Sequence, residues 1–155
     1  MAERATIVDK LGDVYTIELF EGDQFFAMRV YRRGLPVGYA RCLVEAGKVE
    51  LAEIKITGRL ERKNLLTALL RPLNRFRAKN YQSRGIGSKL LNEVIAYSRE
   101  LGAVAIHGRL AGHKELLAQW YLRHGFTVDM PTEQIVLRFD PAETTAVAQQ
   151  ARSGS

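Results

Sequence analysis

Residues 80–91, Asn-Tyr-Gln-Ser-Arg-Gly-Ile-Gly-Ser-Lys-Leu-Leu, decide the fold of this chain because a glycine-rich loop runs there into the start of a helix. Gly85 and Gly87 let backbone N–H groups come close to an anion. The helix N-terminus adds favourable partial charge, and Arg84 and Lys89 add formal positive charge. The stretch predicts a phosphate-binding loop. A glycine-rich helix start that binds no ligand is the alternative from spacing alone.

Two common nucleotide-binding motifs do not match this loop. A P-loop ends in Gly-Lys-Ser or Gly-Lys-Thr, which the sequence lacks. A dinucleotide-binding fingerprint requires a third small residue three positions after Gly87, where this chain has Leu90. Neither motif therefore explains the glycines.

The elements around the loop predict a mixed sheet. An amphipathic helix at 85–101 follows the loop and ends at Gly102, a typical C-terminal glycine cap. Before the loop, β-branched and aromatic runs separated by short glycine-containing turns predict an antiparallel meander. The predicted strands are 14–20, 25–31, 37–44, 49–56, 104–110 and 133–139, with a second helix at 115–123. The expected fold class is α/β, an α+β mixed sheet with antiparallel N-terminal strands and one parallel crossover between the fourth and fifth strands.

Length and charge divide the chain unevenly. Its 155 residues predict a single domain at 1–139, and a small, polar tail at 140–155 is expected to be disordered. The net charge of +6 is concentrated in residues 59–84, which hold eight Lys or Arg and one Glu. Leucines at roughly helical spacing predict a basic helical insertion at 58–79. Its charge predicts an acidic partner or acceptor for 59–77.

Several classes of protein are excluded by composition. Cys42 is the only cysteine, so an intramolecular disulfide and a multi-cysteine zinc site are excluded, and Cys42 is expected to be a buried hydrophobe. The three histidines lack paired carboxylates, so no metal is predicted. No apolar run approaches the ~20 residues that span a bilayer. The charged start, residues 1–13, does not resemble a signal peptide, which predicts a cytoplasmic protein.

A second motif lies a helix and a strand further along the chain. Residues 120–126, Trp-Tyr-Leu-Arg-His-Gly-Phe, are similar to an aromatic-Tyr-x-x-x-Gly-Phe segment. Together with residues 80–91, which fit Gln/Arg-x-x-Gly-x-Gly/Ala, they resemble the GNAT superfamily of acyl-CoA-dependent N-acetyltransferases. The resemblance covers residues 49–126 well and the first strands only by topology. It implies transfer of an acetyl group from acetyl-CoA to a primary amine by direct attack.

The resemblance also implies where acetyl-CoA would bind. Backbone N–H groups would hold its pyrophosphate, and the end of the fourth strand, splayed from the fifth, would pair with pantetheine. Lys114 stands where many members have an asparagine that contacts pantetheine, and it would instead reach a phosphate. The implied binding residues are Ile54, Lys55, Ile56, Gln82, Ser83, Arg84, Gly85, Ile86, Gly87, Ser88 and Lys114.

Catalysis of this kind needs an acid for the leaving thiolate and a base for the amine. By resemblance Tyr121 is the acid and Glu50 the base. Strand alternation places Glu50 on one face with Ile54 and Ile56, and Glu53, on the other face, is the second choice. His107, on the fifth strand, is a minor candidate for the base, and His124 is expected to be a surface or packing residue.

Two departures from the family leave the function open. The two helices that the family inserts between its first strands are missing, and the basic insertion stands after the fourth strand instead. We expect the insertion to rebuild the acceptor wall, to form a lid beside the acetyl group, or only to pack on the sheet as a surface helix. The acceptor, a protein, a peptide or a small amine, is not identified. The alternatives are a basic module that binds nucleic acid or an anionic surface, and a catalytically silent CoA-binding regulatory domain.

Overall fold

The structure is a computed structural model that describes residues 2–56 and 85–141. The predicted insertion at 58–79, loop residues 82–84 and nearly all of the predicted tail lie outside the described residues.

Five strands precede the loop, one more than predicted. They are β1 (Ala2–Val8), β2 (Val14–Glu21), β3 (Phe25–Arg32), β4 (Leu35–Glu45) and β5 (Lys48–Ile56). Each pairs antiparallel with the next. The prediction missed β1 because it is an edge strand in which Ile7 alone is fully buried, so its sequence carries almost no apolar alternation. The turns at 9–13 and 22–24 contain no helix.

The second half supplies two helices and the other side of the sheet. Its elements are α1 (Ile86–Glu100), β6 (Ala105–Arg109), α2 (Lys114–Arg123), β7 (Thr127–Asp129) and β8 (Gln134–Arg138). The sheet order is β1-β2-β3-β4-β5-β6-β8-β7. Among the described strands, β5 and β6 form the one parallel pair. The predicted mixed α+β sheet with one parallel crossover is confirmed, and only the three-residue β7 was missed on this side.

Both helices cover the same face of the sheet. Tyr97 of α1 packs edge-on against Phe26 of β3, with ring centroids 4.8 Å apart. Tyr121 of α2 lies near Cys42 on β4, and Cys42 is the register partner of Phe26. In the part of the chain that the structure describes, no helix packs on the other face, which we call the open face.

The strands β5 and β6 separate partway along their length, as predicted. Their parallel pairing runs from Lys48 with Ala105 to Leu51 with Gly108 and stops there. Strand β5 nevertheless continues to Ile56, held by β4 on its other side. The backbone of residues 52–56 therefore has no strand partner on the β6 side among the described residues.

A β-bulge at Ala52 corrects the predicted faces of the two glutamates. Leu51 pairs with Cys42 and Glu53 with the next residue of β4, Arg41, so Ala52 is the extra residue. Simple alternation, which put Glu50 with Ile54 and Ile56, was wrong because the bulge shifts the alternation by one residue. Glu50 and Glu53 both lie on the open face.

Glycines define both ends of α1. Gly85 is the N-cap with φ 80°, and Gly102 follows the C-cap with φ 76°. The N–H of Gly102 donates to Arg99 O, and that of Ala103 donates to Ser98 O, which closes a Schellman motif and confirms the predicted cap. Gly87 has no such left-handed backbone.

Replacing Gly85 and Gly87 by alanine is expected to give different results. Gly85→Ala should lower the free energy of unfolding by about 1–2 kcal/mol, because its left-handed backbone strains an L-residue. Gly87→Ala should be neutral or stabilising by up to about 1 kcal/mol through helix propensity, since its added Cβ meets nothing closer than 3.5 Å. Urea unfolding of both variants measures the difference, and equal losses would contradict this account of Gly85.

Candidate functional site

Three elements meet at the N-terminus of α1. A Cβ built on Gly87 would lie 3.5 Å from Ile56 Cγ1 of β5 and 3.7 Å from Trp120 Cζ2 of α2. The loop-to-helix junction, the free end of β5 and the helix that carries Tyr121 are therefore adjacent in space. Tyr121 and the four described loop residues, Gly85, Ile86, Gly87 and Ser88, all belong to this region.

The start of α1 presents three backbone donors that precede its first described helical bond. The first helical bond runs from Lys89 N–H to Gly85 O, at 3.2 Å. The N–H groups of Ile86, Gly87 and Ser88 precede it and have no carbonyl four residues back within the helix. Together with the partial positive charge of the helix end, they form an arrangement suited to an anion. The predicted partners Gln82, Ser83 and Arg84 lie outside the described residues.

Lys10 is a cation near this site that the sequence analysis missed. Its Cε lies 3.5 Å from the position of a Cβ on Gly85. The β1–β2 turn that carries it is held by the buried Asp9 carboxylate, which accepts bonds from the N–H of Leu11 at 2.8 Å and of Asp13 at 3.0 Å. A charged residue in a polar turn carries no signal of its own, because only the pairing of β1 places the turn beside α1.

The gap between β5 and β6 provides a free strand edge. Ile54, Lys55 and Ile56, the residues predicted to contact pantetheine, all lie on the unpaired part of β5. Unpaired backbone N–H and C=O groups in an extended strand can bond an amide-containing chain laid beside them. The edge begins next to the N-terminus of α1, so one elongated ligand can reach both.

Tyr121 lies buried on the helix-covered face. Its ring packs between Trp120 and Phe126, with centroids 4.8 and 5.3 Å away. Burial raises the pKa of Tyr121 to about 12. None of the described residues accepts a hydrogen bond from its phenol. The side chain is therefore protonated at neutral pH, with a proton to donate.

The two candidate carboxylates have different surroundings. Glu53 accepts a 2.7 Å bond from Arg41 Nη2, and its hydrogen bonds with Tyr39 and Arg41 lower its pKa. Glu50 is exposed and stands beside His107 of β6 in the parallel register. Glu50 and His107 therefore lie together on the open face, where the gap between β5 and β6 begins. Glu53 is instead bound by Arg41.

Lys114 and His124 also have side-chain partners among the described residues. Lys114 forms an ion pair with Glu133, and His113 precedes α2 as its N-cap. His124, expected to be a surface or packing residue, joins α2 to α1 through Ser88 and Asn92. Within residues 2–56 and 85–141, no group of three His, Cys, Asp or Glu side chains is placed to hold a metal ion.

A search for membrane-spanning helices found none with the required length and apolarity in the described part of the chain. Cys42 is buried, and its burial raises the thiol pKa to about 12, as expected of a packing residue.

Several solved structures share this fold. The PaiA N-acetyltransferase of Thermoplasma acidophilum, a complex with coenzyme A, is 14% identical with a TM-score of 0.56 over 75% of this chain. The ribosomal-protein-S18-alanine N-acetyltransferase of Escherichia coli is 14% identical, with a TM-score of 0.55 over 76% of this chain and 71% of its own. A cAMP-binding acyltransferase of Mycobacterium smegmatis is 13% identical, with a TM-score of 0.62 over 96% of this chain.

The chain spans 62% of the Thermoplasma enzyme and 53% of the mycobacterial one. No curated protein sequence matches it significantly. A family model described as the acetyltransferase (GNAT) domain matches residues 21–128, well over half of the chain. The family match includes the gap between β5 and β6, the start of α1 and the second motif on α2, and the chain belongs to the GNAT acetyltransferase family.

Proposed function

We propose that this chain is an N-acetyltransferase that moves the acetyl group of acetyl-CoA to a primary amine by direct attack. One observation carries the proposal: among the described residues, the edge of β5 that β6 leaves unpaired runs from the start of α1, whose N–H groups suit an anion, past the helix that carries Tyr121. Membership of the acetyltransferase family supports the same reading. Use of acetyl-CoA favours a cytoplasmic location.

The described residues fit coenzyme A. The N–H groups of Ile86, Gly87 and Ser88 would hold the pyrophosphate, with Lys10 and Arg84 supplying charge. The edge of β5 from Ile54 to Ile56 would bond the pantetheine amides. The Thermoplasma neighbour is itself described as a complex with coenzyme A. The bound acetyl-CoA supplies an activated acyl group, so the protein needs only to position it and to move protons.

Tyr121 is the proposed general acid. A phenol whose pKa is about 12 keeps its proton at neutral pH and can donate it to a thiolate released beside it. Its ring is fixed by Trp120 and Phe126, so the donor is held in place. The acid therefore acts from the helix-covered face.

Glu50 is the proposed base, and His107 stands beside it. The amine must lose a proton before attack, because an alkyl ammonium has a pKa of ~10.4. Glu53 is a poorer base than a free carboxylate, because Tyr39 and Arg41 bond it and lower its pKa. The base therefore acts from the open face, through which we propose that the acceptor enters.

The acceptor class is the least constrained part of the proposal. The open face carries no described helix, which favours an extended acceptor such as a peptide terminus over an enclosed small amine. The basic residues 59–77 lie outside the described residues, and their charge favours an acidic acceptor or partner.

The proposal is tested by measuring thiol release from acetyl-CoA with a panel of amines, polyamines and peptides. Release that depends on the amine and yields the acetylated product is the expected result. Coenzyme A binding without turnover of any acceptor would instead indicate the silent regulatory domain. Failure to bind coenzyme A, together with salt-sensitive nucleic acid binding, would indicate the basic binding module.

Tyr121→Phe should reduce kcat by about 10²–10⁴-fold, because the leaving thiolate loses its proton donor. Coenzyme A affinity should change little. Tyr97→Phe is the matched control: Tyr97 is also buried with a pKa of about 12, but it bonds Glu21 away from the site. In wild type, kcat should not fall between pH 8 and 10 through Tyr121, since the phenol ionises only near 12. Equal activity of both variants would refute the assignment.

Glu50→Gln should lower kcat by about 10²-fold near neutral pH, and the loss should shrink as the pH approaches the pKa of the free amine. Glu53→Gln, on the same face and strand, should stay within a few-fold of wild type. A pH–rate profile of both variants decides between them. A larger loss in Glu53→Gln would reverse the assignment of the base.

A further inference from the structure

A directional chain of hydrogen bonds joins α2 to the first turn of α1. Trp120 Nε1 donates to Ser88 Oγ at 2.9 Å. His124 Nε2 lies 3.1 Å from the same oxygen, and His124 Nδ1 lies 3.2 Å from Asn92 Oδ1. Both His124 and Ser88 are half-buried. The proposed function assigns Ser88 to the pyrophosphate site and uses Trp120 only to hold the Tyr121 ring, but it gives no role to His124 or Asn92.

The chemistry of the partners sets the direction of each bond when His124 is neutral. An indole N–H only donates, and an amide oxygen only accepts. With the Asn92 amide oriented as in this structure, its Oδ1 faces Nδ1, so the proton lies on Nδ1 and Nε2 is left as an acceptor. Ser88 has one proton, and it must be donated to His124 Nε2. The hydroxyl of Ser88 is then unable to donate to an anion at the helix N-terminus.

Protonation of His124 reverses one of these bonds. The new Nε2–H donates to Ser88 Oγ, whose two lone pairs are then used by Trp120 and His124. The hydroxyl proton of Ser88 is released and can point outward. Ser88 is the third residue of α1, and its backbone N–H is one of the three that precede the first described helical bond. The start of α1 thereby gains a hydrogen-bond donor, the Ser88 hydroxyl. It also gains a positive charge on His124, which bonds Ser88 directly.

We propose that His124 is a positioning residue of the pyrophosphate site, which holds or releases the Ser88 hydroxyl proton and takes up a proton when coenzyme A binds. The inference rests on the proposed function, since it concerns the same site. An anion at the start of α1 favours the form of this hydrogen-bond chain in which His124 is protonated. Anion binding and protonation of His124 therefore strengthen each other by linkage.

The charged groups around His124 determine the pH range in which it gains a proton. Burial and the positive charge of Arg123 lower the pKa of His124, so the imidazole is neutral in the free protein at pH 7. Its contacts on α1, Ser88 and Asn92, do not titrate. The charged residues next to them in sequence are Lys89 and Glu93, and Lys10 lies at Gly85. A phosphate group is the one strong negative charge that coenzyme A would bring to this cluster.

The experiment is calorimetric titration of dephospho-coenzyme A into the full-length protein at pH 6, 7 and 8. This probe keeps the pyrophosphate but lacks the 3′-phosphate, whose second pKa near 6 would itself take up protons. Buffers of different ionisation enthalpy report the protons bound. We expect net uptake at pH 7, and affinity that rises by up to about tenfold for each unit of pH lowered in the range where His124 titrates.

Three variants separate positioning from mere packing. His124→Gln should abolish the proton uptake and flatten the pH dependence, whereas His113→Gln, at the exposed N-cap of α2, should retain both. Asn92→Asp should place a carboxylate on Nδ1 and keep His124 protonated. Affinity should then stay at its low-pH value up to pH 8, with little uptake.

The outcomes distinguish this inference from the proposed function. Absence of binding at every pH would reject the function. Binding with no proton uptake, or uptake unchanged in His124→Gln, would leave the function standing and overturn the role of His124. If His124→Gln does not fold, the NMR-measured pKa of His124 in the wild type, free and bound, decides: it should rise on binding.

Discussion

The separation of β5 from β6 is the constraint on which the rest of the site depends. It is a fixed feature and not a frayed end, because each strand keeps its other partner. Strand β5 stays paired with β4 to Ile56, where Gly38 has no side chain to obstruct the close approach of Ile56. Strand β6 stays paired with β8 to Arg109. Because both strands that border the gap are already ordered, a ligand that enters it does not have to order them. More of the ligand's contact energy therefore contributes to its affinity.

The sheet also separates the two proposed proton-transfer groups. Tyr121 lies among aromatic rings on the covered face, where exclusion of water favours the neutral phenol. The bulge at Ala52 places Glu50 on the open face, in contact with solvent and next to His107. An acid needs its proton at neutral pH and a base must lack one, so opposite environments on the two faces suit opposite roles. Arg41 and Tyr39 engage Glu53, which leaves Glu50 as the freer carboxylate.

Sequence reasoning succeeded where the signal is local. The helix start at Gly85, the cap at Gly102 and the alternation in β2 to β5 all depend on residues a few positions apart. It failed where partners are distant or alternation is broken. The bulge at Ala52 exists only in the register with β4, and the Lys10 turn is placed only by edge pairing of β1. The contact between His124 and Ser88 joins residues 36 apart, and no spacing rule predicts it.

The hydrogen bonds that join α2 to α1 affect how the two motifs of the family would work together in this chain. In the proposed function, the start of α1 would bind the ligand through backbone groups, which a side chain cannot switch off. Ser88 is the exception, because its hydroxyl has one proton, which could be donated either to His124 or to an anion at the start of α1. Tyr121 and His124 are three residues apart on α2. The same helix would therefore place the proposed acid near the thioester end of the ligand and the His124–Ser88 hydrogen bond near its phosphate end. A ligand that bonds at both ends would therefore contact one rigid helix, and the proposed proton uptake at His124 would be a measurable sign that the ligand is correctly placed.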